Sequence, residues 1–281
     1  MRERFCKVFR SLSYKVWNMM SESQYYGFHR SRGNFSRGLN IGEDTITDFV
    51  LMEVCKKLPH EVIAFKFSKR FEAEEGVDWE WWILSASGIL GIRLQAKKLH
   101  FINGTYIYEH LDYRRNNQYQ VDKLIQYATK EGLMPLYIFY NWWDRGTGLD
   151  NLVNYTYGCR IYSPAMQGIT IADAISIEQR VKQSKKEAKD VLSVSWPIHC
   201  LFCKYYSDLS ESISGFLKEN NRFGQGLKTR KFERLPQVVL NMIQSEEPKE
   251  DTPTYITFII DPTEPHEDVK KVREITEQNR D

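Results

Sequence analysis

The sequence is poor in the features that mark specialised classes of protein. Its 281 residues hold only five cysteines (Cys6, Cys55, Cys159, Cys200 and Cys203), too few and too odd in number for a disulfide framework. No window approaches the roughly 18 uninterrupted apolar residues of a membrane-spanning helix, because Lys, Glu or Asn breaks even the longest apolar runs. With no secretory-type leader expected, a soluble protein in a reducing cytoplasm, away from membranes, is the expectation. An excess of charge of one sign is missing as well: 39 Lys and Arg oppose 37 Asp and Glu, so composition alone names no polyanionic partner. A GxG occurs in Asn221–Lys231, but the P-loop spacing GxxxxGK(S/T) is not met, because Leu227 separates Gly226 from Lys228-Thr229, which removes support for nucleotide hydrolysis. Internal repeats are absent.

Apolar material is present in quantity. Hydrophobic residues make up 42% and aromatics 14%, enough for a sizeable core and too much for a disordered chain. The length suits one large domain or a domain with a small lobe. Charge is unevenly distributed. Residues 1–40 carry eight basic and two acidic groups, residues 246–281 five and eleven, so a basic head precedes an acidic tail.

Phe5, Val8, Phe9, Leu12, Val16 and Met20 recur at steps of three and four with Arg and Lys between them, which predicts an amphipathic helix over 3–20. Docking of its apolar stripe on the main body is favoured over a membrane surface. Residues 21–42 lack any period and read as an arm. There Tyr25, Tyr26, Phe28, His29, Arg30, Arg32 and Arg37 interleave rings and cations, suiting either stacking on bases or packing on the protein itself. A helix is predicted over 43–57, ending before Pro59, then strands at 61–67, 78–84 and 89–96, a helix over 117–130 closed by Gly132, and an apolar strand at 136–140. This order predicts an α/β core with a three-strand meander and a crossover helix delivering a fourth strand. Further on, helices are predicted at 170–192, 207–219, 234–244 and 265–279, with a strand at 254–260. The divisions are a basic N-terminal helix and arm (1–42), the core (43–145) and a mainly helical C-terminal region with an acidic tail (146–281).

The chemistry concentrates between Asp78 and Lys97. If the strands on either side of Ser85–Gly88 pair, Asp78 comes beside Gln95-Ala96-Lys97. Period-two spacing then puts Gln95 and Lys97 on one face. A carboxylate, an amide oxygen and an ammonium converge. Divalent cations of the Mg²⁺ type take hard oxygen ligands, and a neighbouring Lys can orient water or offset charge on a phosphate. Trp79, Trp81 and Trp82 read as core and sheet-face packing rather than base stacking.

This arrangement resembles the PD-(D/E)XK nuclease superfamily, in which an acid-bearing helix precedes a β-meander carrying Asp, then Glu, Asp or Gln, one residue, and Lys. The resemblance covers about residues 43–141: GEDTITDFVLMEV as the helix, Asp78 in GVDWEWW, Gln95-Ala96-Lys97 as the last part, then QVDKLIQYA and PLYIFYN. It points to an uncharacterised bacterial, defence-associated branch that uses the QxK form, in which one negative ligand is replaced by an amide. It implies a restriction-endonuclease-like core and a Mg²⁺- or Mn²⁺-dependent endonuclease. Asp78 would be the principal metal ligand, Gln95 the second and the Ala96 carbonyl a third, with Lys97 activating water or neutralising phosphate. Glu43 is favoured over Asp48 as the helix acid, and Glu80 would be a ligand or an acceptor for Lys97. Lys69 and Gln120 would approach the scissile phosphate.

The implied partner is nucleic acid, DNA over RNA, with a homodimer or a regulatory protein as further partners. Among basic groups beyond the core, Lys228, Arg230 and Lys231 are the candidate phosphate contacts. Arg180, Lys182, Lys185, Lys186 and Lys189 read as a solvated face. His199-Cys200-Leu201-Phe202-Cys203 supplies too few zinc ligands by itself, so buried thiols are favoured. The alternative on the same core is a catalytically inactive module that binds nucleic acid or protein.

Overall fold

The protein is described by a computed structural model covering residues 2–26, 28–31, 34–67, 78–154, 163–203, 208–220, 230–244, 253–263 and 265–278, with backbone alone at 2, 28–31 and 34–37. Lys69, Cys159 and Lys228 lie outside these residues, as do the side chains of the arm's Phe28, His29, Arg30, Arg32 and Arg37. A mixed eight-stranded sheet forms the centre. Its strands are β1 (Val62–Lys66), β2 (Trp79–Ser85), β3 (Gly88–Lys98), β4 (Met134–Tyr140), β5 (Ile169–Asp173), β6 (Trp196–Pro197), β7 (Lys231–Phe232) and β8 (Tyr255–Ile260). They run in the order β6-β5-β4-β3-β2-β8-β1, and β7 pairs with the start of β3. β3 with β4 and β2 with β8 are parallel; the other pairs are antiparallel.

Helices cover both faces. On one, α1 (Arg2–Tyr25) and α2 (Glu43–Lys57) pack over Trp79 and Trp81, with the Phe9 ring 6.0 Å from that of Trp81. Phe5, Phe9, Leu12 and Val16 are all at most 2% exposed, each contributing about 1.5–3 kcal/mol through burial. The amphipathic stripe is thus consumed by the protein's own core. At Gly168 an added Cβ would lie 2.1 Å from the Ser13 carbonyl, so only glycine lets the turn at Pro164–Gln167 seat against α1. On the other face, α3 (Gln120–Glu131), α7 (Gln237–Gln244) and α8 (Asp268–Gln278) cover Trp82, Ile256 and Phe258. Between α3 and α7 in the chain come α4 (Ala174–Lys182), α5 (Ala188–Leu192) and α6 (Leu209–Glu219). Gly132 closes α3 in the left-handed conformation, φ 72°, as its place in the sequence predicts. No helix among the described residues is long and apolar enough to cross a membrane.

Three expectations are corrected. The arm forms a two-stranded ribbon, Phe28–Ser31 with Asn34–Arg37. The helix expected over 170–192 begins as strand β5, whose five residues are all buried; Asp173 ends the strand and caps α4 by accepting the Ser176 N–H at 2.7 Å. A run of β-branched residues buried on both sides is stable in a sheet interior, and this overrides the helical spacing downstream. The three-strand meander is opened by β8, which lies between β1 and β2. Every residue of β8 is buried, so it needs a neighbour on each edge and a helix layer on each face. The second half of the chain is not a mainly helical appendage: it supplies four of the eight strands, on both sides of the core.

Candidate active site

The pairing of β2 with β3 builds the site. Trp79 faces Leu94 and Glu80 faces Arg93 in the antiparallel ladder. Asp78 extends it by one step: its N–H reaches the Leu94 carbonyl at 3.3 Å, and its own carbonyl accepts the Tyr255 N–H of β8 at 3.0 Å. The backbone of Asp78 is therefore held from both sides, which aims its carboxylate along the sheet face toward Gln95. That carboxylate accepts the backbone N–H of Ala96 at 2.7 Å and a hydrogen bond from the Gln95 amide nitrogen.

Gln95 is 2% exposed. With its nitrogen committed to Asp78, the opposite orientation of the amide would set oxygen against carboxylate, so the orientation follows from electrostatics. Its Oε1 is left buried with no hydrogen-bond donor among the described residues. Lys97, two residues on and on the same face, is 5% exposed and makes no hydrogen bond or ion pair with the described residues. Glu43, the first residue of α2, accepts the N–H of Lys98 at 2.9 Å, which ties the helix start to the end of β3 next to Lys97. Lys98 itself turns away, donating to Asn40 and to the Ile41 carbonyl, and burial pulls its pKa down. Asp48 is engaged elsewhere, by Lys66 and the Tyr255 hydroxyl.

Side chains from neighbouring elements complete the surroundings. Tyr137 on β4 is the Cα partner of Gln95, and Phe139 that of Lys97. Tyr137 is fully buried, and its pKa is pushed well above the ordinary range by burial and then by the charges of Asp78, Asp122 and Glu43. On α3, Gln120 Oε1 and Asp122 Oδ1 are buried without a hydrogen-bond partner among the described residues. Burial, then a contact with Glu178, raises the Asp122 pKa.

A family profile of unknown function, DUF6615, matches residues 5–281. The chain belongs to that family. A search among curated proteins finds no match.

The structure brings together Glu43, Asp78, Gln95, Ala96 and Lys97. It separates Glu80 from them: Glu80 forms an ion pair with Arg93 at 3.0 Å and accepts the Trp82 indole N–H at 3.2 Å. Burial lifts its pKa and Arg93 opposes the shift. Its expected bond to Lys97 is not made, because one residue pair along an antiparallel ladder selects Arg93. Gln120 stands at the first turn of α3, on the site's side of the sheet. Arg230 packs over Phe232, with 5.3 Å between the guanidinium carbon and the ring centre, and Lys231 is held by Glu211 and by Ser87 at 2.8 Å. His199 and Cys200 are wholly buried, and the Cys203 sulfur lies 2.7 Å from that of Cys6.

Sequence reasoning missed Tyr137 and Asp122. The signal for Tyr137 was two phenols in a strand with no solvent-facing side, each needing a partner for its hydroxyl.

No three His, Cys, Asp or Glu side chains form a metal-holding group among the described residues. The oxygens that converge are the Asp78 carboxylate and the Ala96 carbonyl, hard donors of the kind Mg²⁺ and Mn²⁺ take, and the Gln95 amide turns its nitrogen toward both, so a half-turn of that amide is needed to add its oxygen to the set. The orphaned Gln95 oxygen fits such a cation, which would satisfy a lone pair that otherwise costs about 1–3 kcal/mol to bury.

Proposed function

We propose that the protein is a Mg²⁺- or Mn²⁺-dependent endonuclease on a restriction-endonuclease-like core, hydrolysing phosphodiester bonds in nucleic acid, with DNA favoured over RNA. One observation carries this reading: a carboxylate, an amide oxygen and an ammonium, from Asp78, Gln95 and Lys97, share one face at the end of two paired strands, the last two without a partner among the described residues. The resemblance to PD-(D/E)XK nucleases adds the ligand roles and a place in prokaryotic defence against foreign DNA.

Asp78, Gln95 and the Ala96 carbonyl would hold the cation, with the Glu43 carboxylate close to it. The cation would supply positive charge to the phosphodiester and lower the pKa of a nearby water. Lys97 places an ammonium beside the same point, where it orients the attacking water and offsets charge that builds on the phosphate. Burial to 5% exposure strengthens that effect, because little solvent screens it.

The test is incubation of purified protein with plasmid, linear duplex, single-stranded DNA and RNA in Mg²⁺, Mn²⁺ or EDTA, for wild type, Asp78→Asn and Lys97→Ala. Metal-dependent cleavage lost in both variants is expected. Residual activity within about tenfold of wild type, a barrier change under roughly 1.4 kcal/mol, overturns the assignment.

A further inference from the structure

The buried tyrosines of the sheet and its borders satisfy their hydroxyls in a regular way. Tyr108 donates to Asn141 at 2.7 Å, Tyr140 shares a hydrogen bond with Thr47 at 2.8 Å, Tyr255 donates to Asp48 at 2.9 Å and Tyr106 to Asp144 at 3.0 Å. Tyr137 breaks this pattern. It is 0% exposed, and its hydroxyl has no hydrogen-bond partner among the described residues.

The position of the exception is informative. Tyr137 is paired with Gln95 in the parallel ladder of β4 and β3, so the two side chains stand next to each other on the same sheet face. They are two orphaned polar groups of opposite kind. Gln95 Oε1 is an acceptor without a donor, and the phenol, protonated at any ordinary pH, is a donor without an acceptor. The two do not satisfy each other. Burying an unpaired hydroxyl is destabilising, and phenylalanine would fill the same space without that cost. Phe139, two residues along the same strand, stacks on the Tyr137 ring at 5.7 Å, a contact that a phenylalanine at 137 would keep.

We propose that the Tyr137 hydroxyl donates a hydrogen bond to a non-bridging oxygen of the phosphate that occupies the Asp78–Gln95–Lys97 site. The inference rests on the endonuclease reading and adds a substrate-binding group to it. A cation on Gln95 Oε1 and a phosphate oxygen on Tyr137 Oη would satisfy both orphans with a single ligand pair, one taking the lone pair and the other the proton. The neutral phenol complements Lys97. It approaches a phosphate lying near the carboxylates of Asp78 and Glu43 without adding a charge that either would capture in an ion pair.

Tyr137→Phe removes one oxygen and keeps the ring. In the full-length protein we expect a melting temperature equal to or above that of wild type and an unchanged stabilisation by Mn²⁺ alone. Against these, kcat/KM on linear duplex DNA in Mn²⁺ should fall at least tenfold, and the inhibition constant of dimethyl phosphate should rise at least fivefold. Wild-type cleavage and wild-type inhibition in Tyr137→Phe overturn the role of the hydroxyl and leave the endonuclease reading standing. A melting temperature several degrees lower also overturns it, because the hydroxyl is then bonded within the fold. Wild-type protein that neither cleaves any nucleic acid nor gains stability from Mn²⁺ overturns the endonuclease reading, and this inference falls with it.

Discussion

The carboxylate of Asp78 accepts the backbone N–H of Ala96 at 2.7 Å. The residue with the strongest claim to hold a metal is thus also a structural acceptor for the strand that carries Gln95 and Lys97. Asp78→Ala removes both functions and leaves a buried N–H unpaired, a loss of about 1–3 kcal/mol. Asp78→Asn keeps an oxygen that can accept from Ala96 while deleting the charge. Urea melts should show the Ala variant clearly weakened and the Asn variant close to wild type, with both inactive. Equal stabilities for Ala and wild type would show that the hydrogen bond contributes nothing.

Gln95 separates a metal ligand from an inert buried amide. Gln95→Glu preserves reach and adds a negative charge beside Asp78, which without a cation brings repulsion and desolvation. The expected outcome is a variant less stable than wild type in EDTA that gains more melting temperature than wild type across a Mg²⁺ titration, with cleavage retained. Gln95→Leu should gain none. A Glu variant indifferent to Mg²⁺ removes Gln95 from the ligand set.

The Glu80–Arg93 pair is a structural feature of the sheet. Both side chains are 4–5% exposed, so removing one partner strands the other as a buried charge, costing about 3–5 kcal/mol. Arg93→Met should be destabilised by that order, and adding Glu80→Gln should recover part of the loss. Stabilisation of the double variant by Mn²⁺ should match wild type, since neither group belongs to the cation site. Chemical denaturation of the two single variants and the double variant measures the coupling.

Electrostatic contact with nucleic acid should be weaker at Lys231 than its charge suggests, because Glu211 and Ser87 already hold its ammonium. Replacing Lys228, Arg230 and Lys231 together by Ala should reduce the slope of log affinity against log salt by at most about two units, with Lys231→Ala alone near zero. A drop of about one unit in that single variant would mean the ion pair opens on binding.

His100 should make stability sensitive to mild acid. Burial first, then the Lys98 ammonium, hold its pKa down to about 4, against 6.5 ordinarily. An unfolded chain takes up this proton below about pH 6.5 and the folded one only below about 4, so the stabilisation is complete above 6.5 and is lost as pH falls between the two values. With 23% of the side chain exposed, the loss should be on the order of 1–3 kcal/mol. Denaturant melts from pH 7 to 4 should show a shallower pH slope in His100→Asn than in wild type. Parallel slopes would contradict the assignment.

Local rules were enough to place the centre of the candidate site. Strand alternation and a short turn bring Asp78 to Gln95 and put Lys97 on the same face, and both features depend on residues fewer than 20 apart. The apolar stripe of α1 and the Gly132 cap were legible for the same reason: helical period and left-handed backbone are properties of a few consecutive residues. Tertiary structure alone decided the rest. Tyr255–Ile260 is apolar at every position but Thr257, which marks a buried strand without naming its neighbours, and its insertion between β1 and β2 pairs residues nearly 200 apart in the chain. Burial on two faces selects that partner, since local period cannot. The same holds for Tyr137 beside Gln95, for Arg93 taking Glu80 from Lys97, and for β5 where a helix was expected. In each, the outcome follows from which side chain the sheet sets opposite, a choice made by packing over long stretches of chain.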